Sequence, residues 1–294
     1  MKRLFYYLYY PPLYFISILP DWALYRISCL SYFLIYRLFG YRKKQVQKNL
    51  HIVFPNLRDD EKKKIEKESY KNFCDVLLES LRPLGQSIES VSKRIEYKNP
   101  NLLKELQKSH QLTILLAGHY ASWELIPTIS KFSRWPIFPL YAPLKNHSIA
   151  RIVHKIRTKF DCELVSRYAF AKHITSKQKE NVGGVYVFIN DQSPRFKDRG
   201  FMTHFLNQWV PVHNGAERIS RMMDIPVVYL AITRNKRGFY KAEFKLITDC
   251  PNQLPKGEIT KSFVAFLEQQ IYSDPTQYLW THNRFKHAEN QTIP

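Results

Sequence analysis

Four short apolar runs, at 112–117, 137–141, 185–189 and 227–232, are separated by long polar stretches, and this spacing constrains the fold more than any other feature of the chain. Each run has strand length and is apolar throughout rather than alternating, as a strand buried on both faces requires. Strands of that kind separated by helical stretches specify an α/β fold: a mostly parallel mixed sheet flanked by helices. A fifth strand is expected over 239–247, joined to the one before it by Asn235-Lys236-Arg237-Gly238, whose glycine suits a hairpin turn.

Ahead of the sheet the pattern is helical. After Pro55, Asp59-Asp60 are placed to cap a helix in which Ile65, Phe73, Val76, Leu77 and Leu81 recur at helical spacing, with Lys62, Lys63, Lys64 and Lys67 facing outward. The first forty residues are different again. They carry Phe5, Tyr6, Tyr7, Tyr9, Tyr10, Tyr14, Phe15 and Trp22 and run into the basic cluster Tyr41-Arg42-Lys43-Lys44. Pro11-Pro12 is expected to break the first apolar stretch, and Arg26 and Arg37 interrupt the second, so neither reads as a clean membrane span, and no signal-peptide cleavage site follows. Aromatic rings beside cations suit a helix lying in the membrane interface; packing on the protein's own core is the alternative. The expected division is therefore 1–45 as an N-terminal membrane-associating helical segment and 46–294 as one α/β catalytic domain.

The 45 Lys and Arg against 25 Asp and Glu give a net charge of +20, which favours anionic partners without choosing among them. No recognised nucleic-acid-binding motif accompanies the charge, and nucleic acid is not an expected partner. The four scattered cysteines, Cys29, Cys74, Cys162 and Cys250, contain no C-x-x-C pair and signal neither a zinc site nor a disulfide framework, so a reducing, cytoplasmic setting is expected, with no metal and no cofactor.

Chemistry in α/β sheets gathers beyond the carboxyl ends of strands. Two polar clusters fall there: His119 with Glu124 after the first run, and Asn190 to Arg195 after the third. Ten histidines and 25 acidic residues in 294 positions supply about one His-x4-Asp/Glu spacing by chance, so the strand-end context carries the assignment. Gly118 provides for a turn that would bring His119 and Glu124 together. No G-x-S-x-G, G-x4-G-K-[ST], H-E-x-x-H or G-x-G-x-x-G is present, which leaves serine hydrolase, P-loop, zincin and dinucleotide readings without support.

Landmarks along almost the whole chain extend the pattern. Pro20, Tyr36, Gly40-Tyr41-Arg42, Asn49-Leu50 and Phe54-Pro55 precede Gly118-His119 and Glu124. Tyr141, Pro143, Asn146, Arg157 and Arg167 follow, then Asp191-Gln192, and finally Tyr278-Leu279-Trp280 with His282, Arg284, Phe285 and Lys286. In this set the chain resembles the lipid A biosynthesis acyltransferases, the lauroyl and myristoyl transferases of Gram-negative bacteria, within the lysophospholipid acyltransferase superfamily. It departs from them at Ala142 and Asn283, where arginine is frequent, and both positions bear on the acceptor.

The resemblance implies transfer of an acyl chain from an acyl carrier protein thioester to a hydroxyl of a lipid A precursor, at the cytoplasmic face of the inner membrane. It implies His119 as general base and Glu124 as the carboxylate that orients it; Arg157 is the candidate cation for the oxyanion, with phosphate anchoring as its alternative role. Tyr141, Asn146, Arg167, Asp191 and Gln192 would bind substrate or build the site, and His282 is read as structural. A glycerolipid or amino-acid-lipid acceptor, and a non-catalytic membrane-bound lipid-binding protein, are the competing readings.

Overall fold

The computed structural model describes residues 2–144, 146–195 and 200–288. The side chain of Phe5 and residues 289–294 of the expected catalytic domain lie outside the described residues. Two helices, α1 (Lys2–Ile18) and α2 (Asp21–Tyr32), and a π-helical stretch Phe33–Leu38 lead into α3 (Lys43–Val53) and α4 (Asp59–Glu79). After α5 (Ile88–Ser92) the chain alternates: β1 (Ile95–Tyr97), α6 (Pro100–Ser109), β2 (Leu112–Ala117), β3 (Ile137–Tyr141), α7 (His147–Arg157), β4 (Val165–Ser166), α8 (Phe170–Lys179) and β5 (Gly184–Ile189). The hairpin β6 (Phe201–Phe205) and β7 (Gln208–Val212), then α9 (Gly215–Met223), β8 (Val227–Lys236), β9 (Phe239–Thr248) and α10 (Glu258–Ser273) complete it.

Seven strands form one sheet in the order β1-β9-β8-β2-β5-β3-β4, parallel throughout except for the antiparallel β8–β9 pair. The five expected strands are all present, and Gly238 makes the β8–β9 turn at φ +78, in the left-handed region that glycine enters without a Cβ penalty. All six residues of β2 are buried, which accounts for its unbroken apolar sequence. α6, α9 and α10 pack on the sheet and close the core. The short hairpin β6–β7 stands apart, turned by Leu206 and Asn207 at φ 52 and 63, the type I′ signature.

Three expectations for the helices are corrected. Asp59 and Asp60 lie inside the first turn of α4 rather than capping it; Arg58 occupies the cap position and its N–H donates to Glu61 Oε2 at 2.9 Å. Lys62 is buried, its stem packed and its Nζ 3.7 Å from Asp59, whereas Leu77 is 47% exposed. Pro11-Pro12 does not break the first helix: α1 runs through both, because its packing against α7 and the turn at Arg82–Leu84 holds its two halves in one segment.

The N-terminal helices are interlocked with the rest of the chain. Asp75 on α4 accepts from Ser28 of α2 at 2.5 Å and from Arg234 and Arg237 of the β8–β9 hairpin at 2.7 Å each. Glu79 accepts from Tyr25 and Tyr240 at 2.8 and 2.6 Å, and Asp21 pairs with Arg82 and Arg94 at 2.6 and 2.7 Å. The outer face of the same helices exposes large apolar side chains, among them Trp22 at 74%, Phe39 at 73% and Phe15 at 61%. Among the described residues no helix is long and apolar enough to cross a membrane.

Candidate active site

Sheet register brings two distant segments together. β2 and β5 run in parallel with Ala117 opposite Ile189, so the residues two positions further on, His119 and Asp191, emerge side by side. His119 Nδ1 lies 2.7 Å from Asp191 Oδ1, and the backbone N–H of His119 donates to the same oxygen at 3.0 Å. Asp191 is 3% exposed. Burial would raise its pKa, but the electrostatic pull of the neighbouring His119 and the hydrogen bonds it receives outweigh that and hold it at about 2. The carboxylate is therefore ionised and fixes the Nδ1–H tautomer, leaving His119 Nε2 as the acceptor. The Gln192 amide nitrogen stands 3.5 Å from that Nε2.

Glu124 is held elsewhere. It lies in the 3-10 segment Trp123–Lys131 and receives Arg157 Nε at 3.1 Å, Arg157 Nη2 at 2.5 Å and the Trp123 indole N–H at 3.1 Å. The orienting contact to His119 expected of Glu124 is thus made by Asp191. Burial would lower the pKa of Arg157, yet Glu124 raises it, so the pair is ionic. Trp123 also meets the His119 ring edge-on, with centroids 5.1 Å apart. The turn leading to them depends on Gly118 because of a close approach: a Cβ there would fall 2.6 Å from Cδ1 of Leu267 on α10. The left-handed residue in this turn is Ala121, at φ 51.

His119, Trp123, Glu124 and Arg157 line a cleft of about 690 Å³. One wall is apolar, with Ile126, Pro127, Pro139, Leu140, Val187 and Phe188; Arg167, Arg195 and Arg218 stand round it as well. The guanidinium groups of Arg167 and Arg195 each lie 5.1 Å from the ring of Tyr168. Tyr141 and Gln192 line the cleft. Asn146 does not. It is exposed, and its side chain caps α7 by accepting from Ser148 and Ile149 N–H at 3.0 and 3.2 Å. Among the described residues no group of three or more His, Cys, Asp or Glu is placed to hold a metal.

The C-terminal segment braces the turn that carries His119. Leu279 N–H donates to His119 O at 3.1 Å, and Ala121 N–H to Gln277 O at 3.0 Å. Asn49 holds this segment by donating 2.8 Å bonds to the carbonyls of Trp280 and His282. His282 Nε2 accepts from Ser193 N–H at 3.1 Å, and burial pushes its pKa down to about 4, so it stays neutral. Sequence reasoning missed Trp123, Tyr168 and Arg218, of which only Trp123, next to Glu124, carried a local signal; Arg195 closes the second polar cluster that the strand end had marked.

The chain matches the family described as bacterial lipid A biosynthesis acyltransferase over residues 1–287. It is 23% identical over 247 residues to the lipid A biosynthesis palmitoleoyltransferase of Escherichia coli (strain K12), covering 83% of this chain and 79% of that one. It is likewise 23% identical over 270 residues to the lipid A biosynthesis lauroyltransferase of the same strain, covering 91% and 87%. The lipid A biosynthesis acyltransferase of Haemophilus influenzae is 22% identical over 250 residues, covering 84% and 78%. A match that takes in the N-terminal helices, the strands carrying His119 and Asp191 and the C-terminal segment alike makes this chain a member of the bacterial lipid A biosynthesis acyltransferase family, and an acyltransferase.

Proposed function

We propose that the enzyme moves a fatty acyl chain from an acyl carrier protein thioester to a hydroxyl of a lipid A precursor, with His119 as general base. The observation that carries this reading is the 2.7 Å bond from His119 Nδ1 to a buried, ionised Asp191, which leaves Nε2 facing the cleft as a proton acceptor. The acceptor oxygen attacks the thioester carbonyl while its proton passes to Nε2. Collapse of the tetrahedral intermediate breaks the C–S bond, and the same proton leaves with the thiolate. Asp191 stabilises the imidazolium in between. Arg157, aimed by Glu124, supplies positive charge for the oxyanion, and a donor of that kind contributes about 3 kcal/mol.

The apolar wall of the cleft suits the acyl chain, and Arg167 and Gln192 suit the polar acceptor. The exposed aromatic face of α1, α2 and the π-helical stretch suits the anionic, cytoplasmic face of the inner membrane of a Gram-negative bacterium, where rings sit among headgroups and the +20 net charge adds attraction. The test is a radiolabelled acyl-carrier assay against lipid A precursor, lysophosphatidate and amino-acid acceptors. Acylation of the lipid A precursor is expected, and His119→Ala should abolish it while keeping the fold. Product with an amine acceptor only would overturn the acceptor assignment, and a stable His119→Ala with wild-type turnover would overturn the general base.

A further inference from the structure

Arg157 is the last residue of α7, and the face of α7 beside it is covered by the first helix of the chain. Ile152 and Ile156 belong to one apolar cluster with Tyr6 of α1, closed from the α1 side by Tyr10, Leu13 and Ile16. The polar contacts repeat with the same step. The Arg151 guanidinium lies 4.3 Å from the Tyr6 ring centroid, and Lys155 Nζ lies 4.4 Å from that of Tyr10 while donating a 2.7 Å bond to its hydroxyl. Tyr6 and Tyr10 are stacked on each other, with centroids 5.3 Å apart. On each helix the two partners are four residues apart, so the tyrosine pair grips two successive turns of α7 at once.

The grip ends two residues from Arg157. Arg157 follows Ile156, which α1 buries, and turns to the other side of α7 to hold Glu124. A shift of α7 along or about its axis therefore moves the guanidinium in the cleft, and misplacement by about 1 Å can cost a hundredfold in rate.

We propose that Tyr6 and Tyr10 are positioning residues for Arg157: by clamping Arg151 and Lys155, α1 sets where the Arg157–Glu124 pair stands beside His119. This rests on the reading of Arg157 as a group acting in the transition state. The helix then has separate tasks on its two faces, since Tyr7, Leu8 and Phe15 point outward while Tyr6 and Tyr10 face α7.

The experiment measures kcat and KM in detergent micelles, where partition to a membrane no longer limits turnover, at a temperature well below each variant's Tm. Tyr6→Ala with Tyr10→Ala is expected to lower kcat by about 30- to 100-fold with KM for the acyl donor nearly unchanged. Arg157→Gln should lower kcat by about 100- to 1,000-fold, and adding the tyrosine changes to it should cost less than about threefold more, because both act through one group. Tyr6→Phe, which keeps the ring, should restore turnover. Arg151→Gln with Lys155→Gln loosens the clamp without opening the apolar cluster, and should show the same non-additivity should the alanine variant fail to fold. An impaired Arg157→Gln beside normal clamp variants, or losses that simply add, would overturn the proposal alone. Wild-type turnover in Arg157→Gln would overturn the role of Arg157 and the proposal with it.

Discussion

Arg157 and Glu124 hold each other through two hydrogen bonds, of 3.1 and 2.5 Å, so the carboxylate five residues after His119 serves a cation rather than the histidine. The carboxylate that serves the histidine comes from the neighbouring strand end. Asp191→Asn should therefore leave the ring unable to hold its tautomer and lower kcat by about 10³- to 10⁴-fold with little change in KM. Glu124→Gln should cost less, about 10- to 100-fold, and Glu124→Gln with Arg157→Gln should cost no more than Arg157→Gln alone. Steady-state kinetics on the four variants check the division of roles.

His282 makes the stability of the fold sensitive to acid. Its folded pKa, pushed by burial from 6.5 to about 4, means that the unfolded chain takes up a proton before the folded one does. Stability is thus unaffected above about pH 7 and falls as the pH drops from 6.5 towards 4, by on the order of 3 kcal/mol in all. His282→Gln removes the titration while keeping an acceptor for Ser193 N–H. Urea unfolding of both proteins at pH 7.5, 6, 5 and 4 should show the wild type losing that increment and the variant keeping it.

Gly118→Ala forces a methyl against Leu267, whose Cδ atoms would stand 2.6 and 2.9 Å away and which is itself fully buried. We expect a loss of about 1–3 kcal/mol, with a larger effect on turnover because the strain falls on the turn that presents His119. Leu267→Ala should cost about 2–5 kcal/mol alone, and the double variant clearly less than the sum. Chemical denaturation of the three variants measures the coupling.

Membrane binding is best probed at the surface. Removing the first forty residues would also strip Ser28 from Asp75 and Asp21 from Arg82, so a deletion reports on folding as much as on attachment. Serine at Phe15, Trp22 and Phe39, all more than half exposed, touches neither contact. Burying such side chains is worth about 1.5–3 kcal/mol each, so the triple variant should bind phosphatidylethanolamine–phosphatidylglycerol vesicles at least about a hundredfold more weakly at an unchanged Tm. Vesicle sedimentation decides it.

The strands that build the centre of the sheet were legible because burial on both faces leaves an uninterrupted apolar run, and β2 and β3 begin and end where their sequences say. β1 and β4, three and two residues long, carry no such run, and the β6–β7 hairpin lies where Asn207 and Leu206 turn without glycine. Lys62 and Leu77 changed places with expectation because a lysine stem packs as well as an apolar chain while its ammonium reaches Asp59. In the site, both polar clusters were visible at strand ends. Their pairing was not, since spacing along the chain cannot say that β2 and β5 are neighbours, and only that adjacency joins His119 to Asp191 across 72 residues.

The C-terminal segment braces both halves of the site from behind. Gln277 and Leu279 hold the turn that carries His119, and Ser193, beside Asp191, is held by His282 and Arg284. A change at Gln277, Leu279, His282 or Arg284 therefore reaches the paired His119 and Asp191 through the backbone they hold, although none of the four lines the cleft.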